Sequence, residues 1–384
     1  MEKKQKHLFI AAAIIVGIFI GIIAWNIVTP TLARGIFYYQ VEGDEAKLFL
    51  LSENESEQII SLPAREVDFQ KYKPPRHSYF SNDGEKMIFF EKVGEEELEI
   101  PEDSSLIISR ILSKPVFVNL KTGNKKDINQ PIDSSSLVFS PNDTQIAWIK
   151  MIDEATYQDI EESGKKRELW ISRADGENAE FVLSFDENVV LLEKWEGDYI
   201  YFHGIWDVSV RSLGRINIST GKVEYIIPKQ CNTYLENCLN IRFSPTGEQF
   251  LYEIYTKNEG KEITQLYKGN FNQKTYEGIL TTDRISDKVW LNNNEFIYTE
   301  QQTIKKEGVV ESIHLVNIEN KTDDIIYSGS YISQITPDPK EKYIYFLEKQ
   351  KEGDEFNLIR LNIKERQSEI VLAENYNHIL LINP

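Results

Sequence analysis

Methionine and cysteine are scarce in this sequence, with 3 and 2 copies among 384 residues. Tyrosine and phenylalanine, by contrast, occur 19 times each. Aromatic side chains suit the pleated, half-buried surface of a β-strand, so this bias favours strands over helices. Hydrophobic residues make up 41% of the chain, which is enough to bury a core and excludes global disorder.

Positive charge is in deficit. The chain carries 43 Lys and Arg against 61 Asp and Glu, which gives a formal net charge of −18. Such a surface keeps a protein soluble, and it repels phosphate backbones and anionic lipid head groups. We therefore expect no nucleic-acid partner.

Motifs of known catalytic chemistry are missing as well. The sequence contains no G-x-S-x-G, H-E-x-x-H, Walker or G-x-G-x-x-G pattern. Carboxylate pairs carry no diagnostic weight in a chain with 61 acidic residues. The sequence therefore predicts that the chain is not an enzyme and needs no metal or other cofactor.

One long hydrophobic run stands out. Residues 8–28, from Leu8 to Val28, contain no charged side chain, and a helix of this length spans the roughly 30 Å of a bilayer core. Lysines at positions 3, 4 and 6 precede it, which predicts a cytoplasmic N-terminus. We expect a tail over 1–7, a transmembrane helix over 8–28, a linker over 29–34 and an extracytoplasmic globular part over 35–384.

A cleaved signal peptide is the alternative, because residues 31–33 resemble a cleavage site. The apolar region of signal peptides is about 7–15 residues long, and the longer run here favours a retained anchor in the cytoplasmic membrane. Both interpretations place the globular part outside the cytoplasm, at the cell surface or in the periplasm.

A repeat covers the rest of the chain. Its copies each contain a short strand, a turn and an aromatic-rich strand, followed by two more strands joined by a tight turn. Four strands in a unit of about 50 residues are typical of a β-propeller blade. The copies begin at Ser78, Ser136, Leu191, Asn240, Asp287 and Ser333.

The two ends of the chain supply one more unit. Segments starting at Gly35, Lys47 and Gln58 read as second, third and fourth strands that lack a first. The last segment, HILLINP from His378, reads as a first strand without successors. Joined, they complete a ring of seven blades and remove its free edges. A six-bladed ring with a stray terminal flap is the alternative.

The turn after the first strand takes the forms FSNDG (Phe80–Gly84), FSPND (Phe139–Asp143) and FSPTG (Phe243–Gly247). This turn resembles the propeller repeat of the TolB-like (WD40-like, PD40) family. The resemblance covers nearly all of the chain after residue 35 and implies an all-β propeller fold, without indicating a ligand. TolB itself carries an additional N-terminal α/β domain, in place of which this sequence has the hydrophobic run.

Two cysteines, Cys231 and Cys238, lie between the third and fourth repeats. A metal site needs more ligands than this segment offers. Outside the cytoplasm we expect a disulfide, which stabilises the folded state by about 2–3 kcal/mol when it closes so short a loop.

Candidate binding residues lie in insertions expected on one face of the ring. Acidic loops are predicted at 94–114 and 152–167, the second with a short helix, and neither has the order of a calcium loop. Aromatic residues and arginine often anchor interfaces, although packing against the next blade is the alternative. The loops at 203–215 and 63–77 supply His203, Trp206, Arg211, Arg215, Arg65 and Arg76.

These features predict a binding or scaffolding module of the cell envelope, anchored to the membrane, that engages a protein or peptide. The alternative is a glycan-binding or glycan-active propeller that uses the central channel. Facing carboxylates and aromatics along the channel would favour the glycan, whereas an apolar patch on the loop face would favour the protein. The sequence does not fix an oligomeric state.

Overall fold

The structure is a computed structural model in which the regular secondary structure of the described residues is all β. No helix in the described part of the chain is long and apolar enough to cross a membrane. Residues 8–28 lie outside that part, so the transmembrane helix stays a prediction. The described residues are 36–42, 45–52, 55–63, 65–67, 70–73, 78–99, 107–150, 167–185, 189–207, 210–226, 238–258, 261–304, 308–338, 340–349, 356–372 and 380–382.

The described strands form seven four-stranded sheets and one two-stranded hairpin. The first sheet, here called the closure blade, begins with β1 (Ile36–Glu42), β2 (Glu45–Ser52) and β3 (Glu55–Pro63). The hairpin follows, with β4 (Arg65–Val67) and β5 (Gln70–Lys73). Blade 1 contains β6 (Ser78–Phe80), β7 (Lys86–Glu99), β8 (Ile107–Asn119) and β9 (Lys125–Asp127).

Blades 2, 3 and 4 follow in chain order. Blade 2 contains β10 (Ile132–Phe139), β11 (Gln145–Lys150), β12 (Arg167–Arg173) and β13 (Glu180–Phe185). Blade 3 contains β14 (Val189–Glu196), β15 (Tyr199–Asp207), β16 (Val210–Asn217) and β17 (Lys222–Ile226). Blade 4 contains β18 (Cys238–Phe243), β19 (Gln249–Asn258), β20 (Lys261–Asn270) and β21 (Thr275–Thr282).

Two blades and one strand remain. Blade 5 contains β22 (Ile285–Trp290), β23 (Glu295–Ile304), β24 (Gly308–Asn317) and β25 (Thr322–Gly329). Blade 6 contains β26 (Ile332–Pro337), β27 (Tyr343–Lys349), β28 (Phe356–Asn362) and β29 (Ser368–Leu372). The last strand, β30 (Leu380–Ile382), returns to the closure blade.

The closure blade joins the two ends of the chain. β30 pairs antiparallel with β1, with Leu380 opposite Tyr39 and Ile382 opposite Phe37. The order β3-β2-β1-β30 therefore completes a seventh four-stranded sheet. This confirms the seven-bladed ring with a composite closure blade and shows that the six-bladed alternative is wrong.

The hydrophobic core lies between blades rather than within them. Seven clusters of buried apolar side chains are found, each shared by two neighbouring blades. Successive side chains of a strand point to opposite faces of a sheet. Each blade thus packs against both neighbours, and burying a large apolar side chain stabilises the fold by about 1.5–3 kcal/mol.

The repeated turn has a physical reason for its serine. Ser81, Ser140 and Ser244 are buried at the end of a first strand, and the hydroxyl of each accepts a hydrogen bond from the N–H five residues later. The turn also needs a left-handed backbone conformation, which is most accessible to glycine and then to asparagine or aspartate. The residues in that conformation are Gly84, Asp143 and Gly247, with φ of 67°, 56° and 74°.

Two of the predicted loops are wrong, because both segments are ends of β-hairpins. β7 and β8 stay paired from Lys86–Asn119 out to Glu99–Ile107, so most of the predicted acidic loop at 94–114 is sheet. β15 and β16 likewise stay paired as far as Asp207–Val210. The acidic residues at the end of β7 pair with a segment of β8 that is rich in isoleucine. Isoleucine favours strands, and this pairing places no second run of acidic residues opposite the first. Residues 151–166, with the predicted short helix, lie outside the described residues.

Candidate functional site

The first strand of each blade forms the inner side of the ring. First strands stand at one end of every sheet, and those of neighbouring blades lie beside one another. In blades 2 to 6 the pairing of the first strand with the second shifts register. Such bulges leave at least one extra residue out of the ladder and re-aim its side chain. In blade 3 the residue left out is Glu193, between Leu192 and Lys194.

Three polar side chains on the inner strands of blades 1 to 3 interact electrostatically. Tyr79 lies on β6, Asp133 on β10 and Glu193 on β14. Burial raises the pKa of the Tyr79 phenol, and the negative charges of Asp133 and Glu193 raise it further. The phenol therefore keeps its proton at neutral pH and remains a hydrogen-bond donor.

Each of the two carboxylates has a basic neighbour. Nη1 of Arg167 lies 3.5 Å from Oδ2 of Asp133. Nδ1 of His203 lies 2.8 Å from Oε1 of Glu193, although not aligned as a hydrogen bond. The His203 side chain is only 12% exposed. We call Tyr79, Asp133, Arg167, Glu193 and His203 the inner cluster.

The inner cluster offers several kinds of polar group. Carboxylates accept hydrogen bonds, the phenol and the guanidinium donate them, and an imidazole beside a carboxylate does either and can transfer a proton. No group of three or more His, Cys, Asp or Glu side chains in the described part of the chain is arranged to hold a metal ion. The cluster is thus suited to hydrogen bonding and to proton transfer.

Among the residues predicted to bind a partner, His203 belongs to the inner cluster and Arg215 lies elsewhere. The Arg215 guanidinium carbon lies 4.4 Å from the ring centre of Tyr199 and 5.3 Å from that of Phe271 in blade 4. Its Nε donates to Oε2 of Glu224 at 2.9 Å, and its Nη1 donates to Asn272 at 2.9 Å. Arg215 therefore packs between blades 3 and 4, which was the alternative to partner binding.

For three of the other predicted residues the structure gives the backbone position, and two lie outside the described residues. Trp206 lies on β15. Arg211 lies on β16, where it pairs with Ile205 of β15. Arg65 belongs to the β4–β5 hairpin. Arg76 and Cys231 lie outside the described residues. Their predicted roles, including the disulfide between Cys231 and Cys238, stay predictions.

Sequence reasoning missed four members of the inner cluster. Tyr79, Asp133 and Glu193 sit in three different repeats, and Arg167 sits at the start of β12. One signal was available. Glu193 interrupts the apolar run LLEKW of an inner strand, and a charged residue there indicates a bulge that turns its side chain toward other polar groups.

A second polar group joins blades 4 and 5. Lys288 on β22 and Glu253 on β19 form an ion pair in which both side chains are only 1% exposed. Burial lowers the pKa of Lys288 to about 8, although Glu253 acts in the opposite direction. Oε2 of Glu253 also accepts a hydrogen bond from the Tyr255 hydroxyl at 2.8 Å. This pair is too enclosed to meet a ligand, and its role is structural.

Comparison with known proteins gives a fold and no family. No family model matches the sequence, and no curated protein matches it. The structure is similar to oligogalacturonate lyase from Vibrio parahaemolyticus, with a TM-score of 0.53, 11% identity, and coverage of 82% of this chain and 87% of that one. A second similar structure is prolyl oligopeptidase B from Galerina marginata, with a TM-score of 0.52, 10% identity, and coverage of 91% and 52%. This chain thus spans about half the length of that protein.

The chain is a seven-bladed β-propeller. TolB from Acinetobacter baumannii also matches, with a TM-score of 0.41, 12% identity, and coverage of 86% of this chain and 78% of that one. The all-β propeller fold that the resemblance implied is confirmed by the seven four-stranded sheets of the described strands.

The prediction that the chain is not an enzyme is wrong. A lyase shares this propeller over most of both chains. The propeller fold and the missing motifs are therefore no reason to exclude catalysis.

Proposed function

We propose that the chain is an extracytoplasmic carbohydrate-binding propeller and that the inner cluster of blades 1 to 3 is its ligand site. One observation carries the proposal: the negative charges of Asp133 and Glu193 act on the buried phenol of Tyr79, and the three residues lie on the inner strands of blades 1 to 3. Sugar hydroxyls both donate and accept hydrogen bonds, and this set of groups supplies both kinds of partner.

The charges of the inner cluster fit a ligand of low charge. Arg167 pairs with Asp133 and offsets its charge, whereas Glu193 lies beside His203. The net charge of the chain, −18, also repels polyanions at longer range. A neutral or weakly charged saccharide meets both conditions.

The apolar surface gives less support for a protein partner. Large exposed apolar side chains of the described residues are spread over several blades, and four of them lie on outermost strands. A docking patch would need them to be contiguous. The four on outermost strands are Phe181, Tyr225, Ile325 and Ile370.

An envelope protein or peptide is the second candidate partner, and one observation favours it. Among the described strands, residues 94–99 and 107–112 pair only with each other and extend the blade 1 hairpin beyond its four-stranded sheet. The acidic sequence of residues 94–99 suits a basic partner. In this case Trp206 and Arg211, on the equivalent hairpin of blade 3, are the residues to test.

The detergent-solubilised full chain, screened on immobilised neutral and uronic oligosaccharides, tests the carbohydrate proposal. Retention of a saccharide should fall at least tenfold in Asp133→Asn and Glu193→Gln. It should be unchanged in Glu341→Gln, which alters an exposed carboxylate on the turn between β26 and β27. Mass spectrometry of the bound saccharide would reveal cleavage. Absence of any retained saccharide, or equal loss in the Glu341 variant, would contradict the proposal.

The membrane anchor belongs to the same proposal. The hydrophobic run of residues 8–28 and the lysines before it support it. Deleting residues 8–28 should move the protein from the membrane fraction to the soluble fraction of the cell, and continued membrane association would contradict it.

A further inference from the structure

A cavity of about 210 Å³ lies near the rim of the ring, between blades 4 and 5. One wall is residues 277–280 on β21, the outermost strand of blade 4. The other wall is formed by residues 316–318 and 321–323, at the turn from β24 to β25. The inner cluster is made of residues of blades 1 to 3, so the carbohydrate proposal does not use this cavity.

The carboxylate of Asp323 lines the cavity and is held in place by two buried side chains. The Tyr298 hydroxyl donates to Oδ2 of Asp323 at 2.9 Å, and Nδ1 of His314 lies 2.9 Å from Oδ1. The rings of Tyr298 and His314 are themselves stacked, 4.5 Å apart. The carboxylate is therefore oriented before any ligand arrives, which lowers the entropic cost of binding.

The same carboxylate remains accessible and charged. The Asp323 side chain is 41% exposed. Partial burial acts to raise its pKa, but the contacts from His314 and Tyr298 outweigh burial and hold the pKa below its usual value. An anion fixed on one side and open on the other attracts a cationic group.

The remaining walls are partly apolar. Ile279 and Leu280 line one side, and Val316 and Ile318 line the other. The lining also includes Lys321 and Glu277, whose side chains pair with each other at 3.4 Å, so the ammonium of Lys321 is offset by its own partner. The volume is below the range of about 300–1,000 Å³ found for small-molecule sites, so a single long side chain fits it better than a whole ligand. A lysine or arginine side chain has an apolar stem and a charged end, which matches apolar walls that lead to a carboxylate.

The backbone beside the cavity belongs to a sheet edge. β21 stands at the end of the blade 4 sheet, and among the described strands it pairs only with β20, so no other described strand occupies its outer edge. Extended peptides bind such edges by adding a strand, and pockets for alternate side chains then give specificity. The edge of β21 and the cavity are next to each other.

We propose that the groove between blades 4 and 5 binds an extended peptide that pairs with the edge of β21 and inserts one basic side chain toward Asp323. The site is independent of the carbohydrate site. Loss of binding at one should leave binding at the other unchanged.

Fluorescence anisotropy of the detergent-solubilised full chain tests this proposal. The probe is a labelled, capped pentapeptide, Thr-Val-Arg-Val-Thr, and its control carries neutral citrulline in place of arginine. Asp323→Asn and the citrulline peptide should each weaken binding at least tenfold. Asp324→Asn should leave binding unchanged, because that carboxylate lies on the opposite face of β25 and pairs with Arg366 of blade 6 at 3.4 Å. Glu193→Gln should also have no effect.

Three outcomes would overturn the proposal. The first is no binding of the arginine peptide up to about 1 mM, the weak end of specific affinity. The second is equal binding of the arginine and citrulline peptides. This comparison uses the unaltered protein, so it stays valid even if Asp323→Asn disturbs Tyr298 and His314. The third is competition by acetyl-arginine methylamide as strong as that by the pentapeptide, which would show that strand pairing contributes nothing.

Discussion

Tyr38 and Tyr39 are neighbours on β1, yet their side chains are buried in two different blade interfaces. Tyr39 packs in the cluster shared with blade 1, and Tyr38 packs in the cluster shared with blade 6. The alternation of side chains along one strand therefore connects the first and last continuous blades. The ring is closed at β1, and β30 pairs with that same strand.

The closure strand should matter more to stability than the projecting hairpin. Deleting residues 378–384 removes β30 and leaves the inner edge of β1 without a partner, so unpaired backbone groups face the ring interior. Removing residues 96–109 from the β7–β8 hairpin takes away only a two-stranded extension. We expect a clear fall in melting temperature for the first variant and little change for the second, measured by calorimetry on the solubilised chain. An equal effect of the two deletions would contradict this prediction.

Arg215 should behave as a structural residue, and blade 6 provides a matched comparison. Tyr201, Arg215 and Glu224 lie side by side on β15, β16 and β17. The same row recurs in blade 6 as Tyr345, Arg360 and Glu369. Arg360 stacks on Tyr343 at 5.0 Å, as Arg215 stacks on Tyr199 at 4.4 Å.

Arg215→Ala should destabilise the fold by about 1–3 kcal/mol, through lost charge-assisted hydrogen bonds and stacking. Arg215→Lys should recover only part of this, since an ammonium lacks the planar fork. Arg360→Ala should have a similar effect. Urea unfolding measures all three, and lost ligand binding in Arg215→Ala with unchanged stability would show a recognition role instead.

The fold was accessible from the sequence because blades 1, 2 and 4 share one turn sequence and the other blades repeat the same four-strand pattern. The serine and the positive-φ residue of the turn sit at fixed offsets, as in Ser244 and Gly247. The composite blade was predictable too, because the terminal segments lack complementary strands. The paired ends of the long hairpins could not be predicted. An acidic segment such as residues 94–99 looks like a loop until its strand-forming partner is known.

The inner cluster could not be predicted for a different reason. Its members interact only because three blades stand side by side, and Tyr79 and His203 are far apart in the sequence. Bulges in the inner strands then decide which side chains turn toward each other. Register shifts of this kind depend on contacts between strands, and a single sequence records them only as isolated breaks in an apolar run.

The buried pair of Lys288 and Glu253 predicts how stability changes at alkaline pH. The pKa of Lys288 is about 8 in the folded protein, against about 10.4 in an unfolded chain. Between these values the unfolded chain binds more protons, so the contribution of Lys288 to stability rises with pH from about 8 to about 10.4. Above about 10 the raised pKa values of buried tyrosines such as Tyr39 act in the opposite direction, because the folded state then holds more protons.

A double variant isolates this effect. In Lys288→Met with Glu253→Gln the titrating pair is absent, while Tyr39 and the other buried tyrosines remain. The free energy of unfolding, measured in urea from pH 7 to 10, should rise less for the variant than for the natural chain. Parallel curves for the two proteins would rule out the pH contribution of Lys288.

Glycine at position 247 should be needed both for its positive φ and for the close approach of a neighbouring ring. Gly123 has only the first property, so it serves as the comparison. Both residues have positive φ, 74° and 70°, so alanine at either position costs about 1–2 kcal/mol in backbone strain. At Gly123 a β-carbon would meet no atom within 4 Å, whereas at Gly247 it would lie 2.4 Å from Cε2 of Tyr201 in blade 3. Gly247→Ala must therefore also displace a buried ring from the interface between blades 3 and 4.

Chemical denaturation of the two alanine variants should show a larger loss for Gly247→Ala than for Gly123→Ala. The excess measures the close approach of the turn to Tyr201, because the backbone strain is common to both. Combining Gly247→Ala with Tyr201→Leu should reduce the excess, since the smaller side chain leaves room for the β-carbon. Equal losses in the single variants would mean that glycine is required at position 247 only for the turn.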